Sequence, residues 1–141
     1  MSLLSALRES PSPLPRSSRF TVWNGVLYMA AGGLLLIWPG AVQSLLQDAE
    51  FNGREAELIR VLGMAVVIIG WFYVFGGRSG GRQVVAASVL DRLILVPVVL
   101  APLALGGVFP HLLWTFVVLD PVLALVAWRL LEQEPAGDAA A

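Results

Sequence analysis

One apolar stretch of the chain reads Leu58-Ile-Arg-Val-Leu-Gly-Met-Ala-Val-Val-Ile-Ile-Gly-Trp-Phe-Tyr-Val-Phe75 and contains a single charged side chain, Arg60. A bilayer has a hydrocarbon core about 30 Å thick, which roughly 20 mainly apolar residues cross as a helix. This stretch therefore predicts a transmembrane helix. Comparable stretches occupy residues 20–38, 84–105 and 109–131. The sequence thus predicts an all-α fold, a bundle of four transmembrane helices.

Composition supports this class and excludes others. Of the 141 residues, 57% are hydrophobic and 13% are charged, whereas soluble domains carry about 25% charged residues. A net charge of -1 without a clustered basic face argues against a nucleic-acid partner. The chain has no cysteine, which excludes disulfides, thiolate chemistry and cysteine-ligated metals.

Changes in amino-acid composition along the sequence divide the chain into three parts. Residues 1–19 contain three prolines among serines and arginines, which predicts a flexible cytoplasmic arm. Residues 20–131 form the membrane domain, and the Ala-rich residues 132–141 are expected to be a disordered tail. The longest loop, residues 39–57, places Val42, Leu45 and Leu46 among polar residues, which favours a short amphipathic helix in the membrane interface.

The arginines predict the orientation, because cytoplasmic flanks are enriched in Lys and Arg. Six arginines flank one side of the predicted bundle, and Arg54 and Arg60 lie on the other. Both termini are therefore expected in the cytoplasm. All nine basic residues are arginine, which together with abundant Ala, Gly, Leu and Val indicates GC-rich bacterial coding. The predicted location is the bacterial inner membrane.

Glycines recur at seven-residue spacing in two predicted helices, Gly25 and Gly32 in the first and Gly63, Gly70 and Gly77 in the second. Seven residues are close to two turns, so each set lies on one helix face and allows a close helix neighbour. The spacing favours a packing seam between these helices or between protomers. A ligand groove along the seam is the alternative.

Three ionisable residues lie inside the predicted membrane region: Asp91 and Arg92 in the third helix and Asp120 near the middle of the fourth. A charge there costs at least about 2.5 to 3.5 kcal/mol, so such residues usually face the bundle interior and pair. Arg92 is the expected ion-pair partner of Asp120. Adjacent helical residues diverge by about 100°, so Asp91 and Arg92 are expected to point to different places.

Three polar residues of the first two predicted helices lie as deep in the membrane as these ionisable residues, or closer to the cytoplasmic side: Asn24, Tyr28 and Tyr73. With Asp91, Arg92 and Asp120 they form a predicted polar cluster in the cytoplasmic half of the bundle. One interpretation is an ion pair that fixes helix register. The others are a ligand-binding or catalytic pocket and a proton-titrating site at Asp120.

Three prolines interrupt the helical hydrogen bonds, Pro97 and Pro102 in the third helix and Pro121 in the fourth. They predict kinks and freed carbonyls. Asp120-Pro121 also fits a helix start, although a continuous kinked helix is favoured. His111 stands alone near the last hairpin, so an interfacial or structural placement is expected rather than a metal site. No phosphate loop, dinucleotide fingerprint or serine elbow is present, and no cofactor is expected.

The second half of the chain contains five segments that form a pattern: Arg60-Val-Leu-Gly63, Gly70-Trp-Phe-Tyr73, Gly77-Arg78, Ser88-Val-Leu-Asp91-Arg92 with Pro97, and Phe116-Val-Val-Leu-Asp120-Pro121. This pattern resembles the BphX-like family of small four-helix bacterial membrane proteins. It covers residues 58–131 and implies a fold without implying a chemistry. The arrangement is also similar, in architecture alone, to DoxX-like proteins and to the sterol-isomerase type of four-helix fold.

The leading functional expectation is a non-enzymatic binding or accessory protein whose intramembrane polar pocket accepts a small apolar molecule or a lipid. Arg92 and Asp120 would hold the polar end of that molecule, with Tyr73 and Asn24 at the cytoplasmic mouth. The alternatives are an oligomeric proton-coupled transporter that uses Asp120, and a membrane isomerase that uses Asp91 and Asp120 as acid and base. Expected partners are membrane lipids, a second copy of the chain or another membrane subunit.

Overall fold

The computed structural model describes residue 5 and residues 7–135, and this part of the chain is all-helical without a strand. Four helices are long and apolar enough to cross a membrane: α1 (Arg16–Ile37), α3 (Glu55–Arg78), α4 (Arg82–Leu105) and α5 (Pro110–Glu132). A short helix, α2 (Pro39–Leu46), follows α1. The prediction of an all-α fold with four helices long and apolar enough to span a membrane is confirmed for the described residues.

The spanning helices extend beyond the apolar stretches that predicted them. Helix α3 begins three residues earlier and ends three residues later than expected, with Glu55 and Glu57 in its first turn and Arg78 in its last. Acidic groups at a helix N-terminus and basic groups at its C-terminus interact favourably with the helix dipole. The charged flanks therefore continue the helix past the hydrophobic limits.

Glycines bring α1 and α3 into the closest helix contact of the molecule. A Cβ atom added at Gly32 would lie 2.7 Å from the carbonyl oxygen of Gly63, and one at Gly25 would lie 2.6 Å from that of Gly70. Near the end of α3, a Cβ at Gly77 would lie 3.0 Å from the carbonyl oxygen of Ser18. The predicted seam between the first two crossings is confirmed, because only glycine permits backbones at this distance.

Helices α4 and α5 form a second pair. Val85 and Val89 of α4 pack against Ala124 and Ala127 of α5 in a buried cluster. Helix α1 also touches α5, which joins the two pairs. The backbones of α3 and α4, although consecutive, approach each other only through residues 82–90 of α4.

A π-helical turn, Asp91–Leu95, interrupts α4. Pro97 lies just after it and has no N–H to donate, and its ring would clash with the carbonyl four residues earlier. A π turn relieves this clash by widening the backbone. Helix α5 instead runs continuously through Pro121, as favoured from the sequence.

The start of α1 and the end of α5 meet at one end of the bundle, here called the terminal end. The carboxylate of Glu134 accepts hydrogen bonds from the backbone N–H and the hydroxyl of Ser17, both at 2.7 Å. Arg82 forms an ion pair with Glu134 at 3.8 Å. Helix α1 consequently begins at Arg16 rather than at residue 20, inside the segment expected to be a flexible arm.

Other parts of the two predicted flexible segments are also in contact. Ser10 donates its hydroxyl hydrogen to the carbonyl oxygen of Arg78 at 3.0 Å. In the predicted tail, Glu132 still belongs to α5 and Glu134 is bonded to α1. Residues 136–141 lie outside the described residues, so the predicted disorder there stays a prediction.

At the opposite end, the connection between α2 and α3 closes over the start of α5. The buried carboxylate of Asp48 accepts the backbone N–H groups of His111 and Leu112, at 3.0 and 2.9 Å. The imidazole Nδ1 of His111 lies 3.2 Å from the same carboxylate. Asp48 thereby satisfies two of the N–H groups that a helix N-terminus leaves without partners.

Candidate functional site

A polar cluster lies inside the bundle, built from one or two side chains of each spanning helix. Helix α1 supplies Asn24 and Tyr28, α3 supplies Tyr73, the π turn of α4 supplies Asp91 and Arg92, and α5 supplies Asp120. Hydrogen bonds and ring contacts join five of the six predicted site residues into one network. Asn24 lies one turn from Tyr28 on the same face of α1.

Asp120 is bonded to α1. The hydroxyl of Tyr28 donates a hydrogen bond to Asp120 Oδ1, and both side chains are buried, Asp120 to 3% exposure. Hydrogen bonds to a carboxylate are stronger than those between neutral groups, particularly away from water. This contact links α1 to α5 in the interior of the bundle.

Asp91 is bonded to α3. The hydroxyl of Tyr73 donates to Asp91 Oδ2 at 3.0 Å, and Asp91 is half-buried rather than fully enclosed. The rings of Tyr73 and Tyr28 pack edge to face, with centroids 5.5 Å apart and planes at 64°. The two tyrosines therefore connect the two carboxyl groups across the centre of the bundle.

Arg92 is the largest fully buried side chain of the described residues, with 1% exposure. Its Nε donates to the carbonyl oxygen of Ser88 at 2.8 Å, and its Nη2 donates to Ser88 Oγ at 3.1 Å. Its Cζ lies 5.2 Å from the ring centroid of Tyr73, close enough for a cation–π interaction. The guanidinium is thus held by its own helix and by one aromatic ring.

The expected ion pair between Arg92 and Asp120 is wrong. Among the described residues the direct ion pairs are Arg82 with Glu134 and His111 with Asp48, and Arg92 is in neither. Arg92 interacts with Asp120 electrostatically without a direct bond. The reason is local, because Ser88 lies one turn before Arg92 and holds the guanidinium on its own helix.

The expectation that Asp91 and Arg92 point to different places is also wrong. Both reach Tyr73, Asp91 at its hydroxyl and Arg92 at its ring face. The π turn contains more residues per turn than an α-helix, so consecutive side chains diverge less. The widened backbone at this position brings a cation and a carboxylate onto one aromatic side chain.

Two buried donors of this region have no partner. Arg92 Nη1 and Asn24 Nδ2 make no hydrogen bond although each lies in a residue that is at least nine-tenths buried. A buried donor without a partner costs about 1 to 3 kcal/mol, and more when it is charged. Native proteins keep few such groups, and those that persist often have a functional role.

Chemically, the cluster therefore offers donors rather than a metal site. The described residues contain no group of three side chains that could hold a metal ion. His111 lies at the opposite end of the bundle with its side chain 59% exposed. It belongs to the contact with Asp48, which fits the structural placement expected for it.

Three functional or supporting residues were not found from the sequence. Ser88 could have been found, because it precedes Arg92 by four residues and so lies on the same helix face. Asp48 and Glu134 carried no local signal, because their partners lie 63 and 117 positions away.

No family model, curated protein or solved structure matches this chain. The functional argument therefore rests on the residues of the polar cluster.

Proposed function

We propose that this chain is a non-enzymatic binding protein of a bacterial inner membrane that holds a small lipid-soluble molecule inside its helix bundle. The molecule inserts its polar end into the polar cluster and leaves its apolar part among the surrounding aliphatic side chains. Arg92 anchors it, with Asn24 as a second donor. Tyr28 and Tyr73 hold the two carboxyl groups in place around it.

The observation that carries this proposal is the free N–H group of Arg92. Its guanidinium is buried, forms no direct ion pair and keeps Nη1 without a hydrogen-bond acceptor. A structural arginine in this position would be expected to pair with Asp120, with which it interacts electrostatically.

The proposed orientation places both termini in the cytoplasm. The exposed arginines Arg16 and Arg19 lie at the start of α1, and Arg78, Arg82 and Arg129 lie at the adjoining helix ends. Their clustering at the terminal end supports a cytoplasmic location for that end. The resemblance to the BphX-like family is compatible with this arrangement and belongs to the same proposal.

The test is mass spectrometry of the small molecules that copurify with the protein from gently solubilised native membranes. The unchanged chain is compared with Arg92→Met, which keeps the unbranched stem and removes every donor of the guanidinium. We expect a lipid-soluble compound that is enriched with the unchanged chain and depleted with Arg92→Met.

The matched control is Arg60→Met, because Arg60 is exposed and makes no contact with the polar cluster. This variant should retain the compound at the level of the unchanged chain. Equal small-molecule profiles for all three proteins, each still folded, would refute the proposed pocket.

A second function, proton-coupled transport, is favoured by one observation. Asp120 is buried, bonded to the hydroxyl of Tyr28 and free of a direct ion pair. A carboxyl group in this setting is able to exchange a proton without first breaking an ion pair. Proteoliposomes with a pH gradient should then show a flux of the transported molecule that the gradient drives and that Asp120→Asn abolishes. A binding protein should show no such flux.

A further inference from the structure

Helices α3 and α4 diverge as they leave the terminal end. They are closest near Gly76, where an added Cβ would lie 2.7 Å from the side chain of Val84. No Cα atom of α3 comes within 8 Å of a Cα atom in residues 91–105. Both helices cross the membrane, so the gap between them, here called the α3–α4 cleft, opens toward lipid rather than water.

The polar cluster lies at the point where α3 and α4 begin to separate, at the base of the α3–α4 cleft. Among the hydrogen bonds of residues 7–135, the bond from Tyr73 to Asp91 is the one that joins α3 to α4. Asp91 is half-buried at this point, whereas Arg92 beside it is fully enclosed. A molecule that enters the cleft from the bilayer therefore meets this bond, and the Arg92 guanidinium lies 5.2 Å from the ring of the same tyrosine.

The charges of the cluster select against an anionic ligand. The two carboxyl groups of Asp91 and Asp120 outnumber the single guanidinium of Arg92, which acts electrostatically on Asp120. An added anion would find no uncompensated positive charge in a region of low dielectric constant, where unpaired charge is costly. The groups that remain free, Arg92 Nη1 and Asn24 Nδ2, are hydrogen-bond donors that a neutral acceptor satisfies.

We propose that the ligand is a neutral, lipid-soluble molecule whose polar end is a carbonyl oxygen, and that it enters from the bilayer through the α3–α4 cleft. This inference rests on the proposed binding function and specifies the class of molecule bound. The carbonyl oxygen accepts from Arg92 Nη1. The apolar remainder of the molecule lies in the α3–α4 cleft, beside the part of α4 that follows the π turn.

The experiment compares probes of equal chain length in lipid nanodiscs: a long-chain methyl ketone, the corresponding fatty acid at neutral pH, and the corresponding alkane. Each probe is added to nanodiscs that contain the protein and to empty nanodiscs of the same lipid. The retained excess is measured by mass spectrometry. We expect the ketone to show the largest excess and to lose about tenfold in apparent affinity with Arg92→Met.

The variants separate charge from hydrogen bonding. Arg60→Met should retain the ketone fully. Arg92→Lys keeps the positive charge but not the planar fork of donors, so it should also lose ketone retention, and it remains informative if Arg92→Met does not fold.

The outcomes distinguish this inference from the function on which it rests. A larger excess of the fatty acid than of the ketone, lost with Arg92→Met, would overturn the neutral-carbonyl assignment and leave the pocket intact. An excess that is equal for ketone and alkane and unchanged by both Arg92 variants would overturn both.

Discussion

Two faces of the same helix, α3, differ in how they meet their neighbours. Toward α1, Gly63 and Gly70 bring the backbones so close that no Cβ atom fits between them. Toward α4, contact is lost beyond the terminal end, and Tyr73 alone reaches across by a hydrogen bond to Asp91. The first face packs tightly against α1. The second face leaves the α3–α4 cleft open beside the polar cluster.

This difference indicates a division of roles within a small bundle. The carboxylates of Glu134 and Asp48, at the two ends of the bundle, have hydrogen-bond partners. The polar cluster between them keeps two buried donors without acceptors, Arg92 Nη1 and Asn24 Nδ2. We therefore assign stability to the seam and the ends, and the proposed binding to the interior.

The largest expected effect comes from filling the seam. Gly32→Ala places a Cβ atom 2.7 Å from backbone atoms of Gly63 and Val67, which cannot move aside as a side chain can. We expect the free energy of unfolding to fall by about 3 kcal/mol, measured by chemical denaturation in mixed micelles.

The adjacent residue provides the control. Gly33 has no atom within 4 Å of an added Cβ, so Gly33→Ala should leave stability unchanged or raise it by up to about 1 kcal/mol. Equal destabilisation by both substitutions would contradict the assignment of the seam.

A smaller effect is expected at the end of the bundle away from the termini. Asp48→Ala leaves the backbone N–H groups of His111 and Leu112 without their acceptors. The loss should be about 2 kcal/mol in the same denaturation measurement. Glu50→Ala, in the same connection but exposed, is the control and should change little; a comparable loss there would argue against a specific role for Asp48.

The two tyrosines should have effects no larger than that of Asp48→Ala, and their effects should differ from each other. Tyr28→Phe leaves the buried carboxyl of Asp120 without its donor and should cost about 2 kcal/mol. Tyr73→Phe leaves the half-buried Asp91 and should cost about 1 kcal/mol or less. A larger loss of stability for Tyr73→Phe than for Tyr28→Phe in thermal melts would contradict this account. It would mean that the bond from Tyr73 to Asp91 holds α3 and α4 together, so that no open cleft lies between them.

The sequence was sufficient for the parts of the fold that depend on periodicity and length. Four apolar stretches predicted the spanning helices, and the seven-residue spacing of Gly25 and Gly32 predicted the seam. Both properties are local, because the bilayer sets the helix length and the helical repeat sets the face.

The interior contacts were less accessible from the sequence. Depth along the helices grouped Tyr28, Tyr73 and Asp120 with Arg92, but the partners within the group were assigned wrongly. The π turn at Asp91–Leu95 changes which atoms meet, and Ser88 competes for the guanidinium. Such choices depend on a few tenths of an ångström and on rotamers, which no periodic pattern encodes.

The most direct test of the account observes the Arg92 guanidinium itself, by nitrogen-15 solid-state NMR of arginine-labelled protein. The Arg92 signals are identified by their absence in Arg92→Met. Spectra are compared for protein in native membrane extract, protein reconstituted in purified synthetic lipid, and the second sample after the copurifying molecules are added back. We predict that the Nη signals of Arg92 shift between the first two samples and return in the third. Identical Nη signals in all three samples would contradict the account, because Nη1 would then have no ligand to gain or lose.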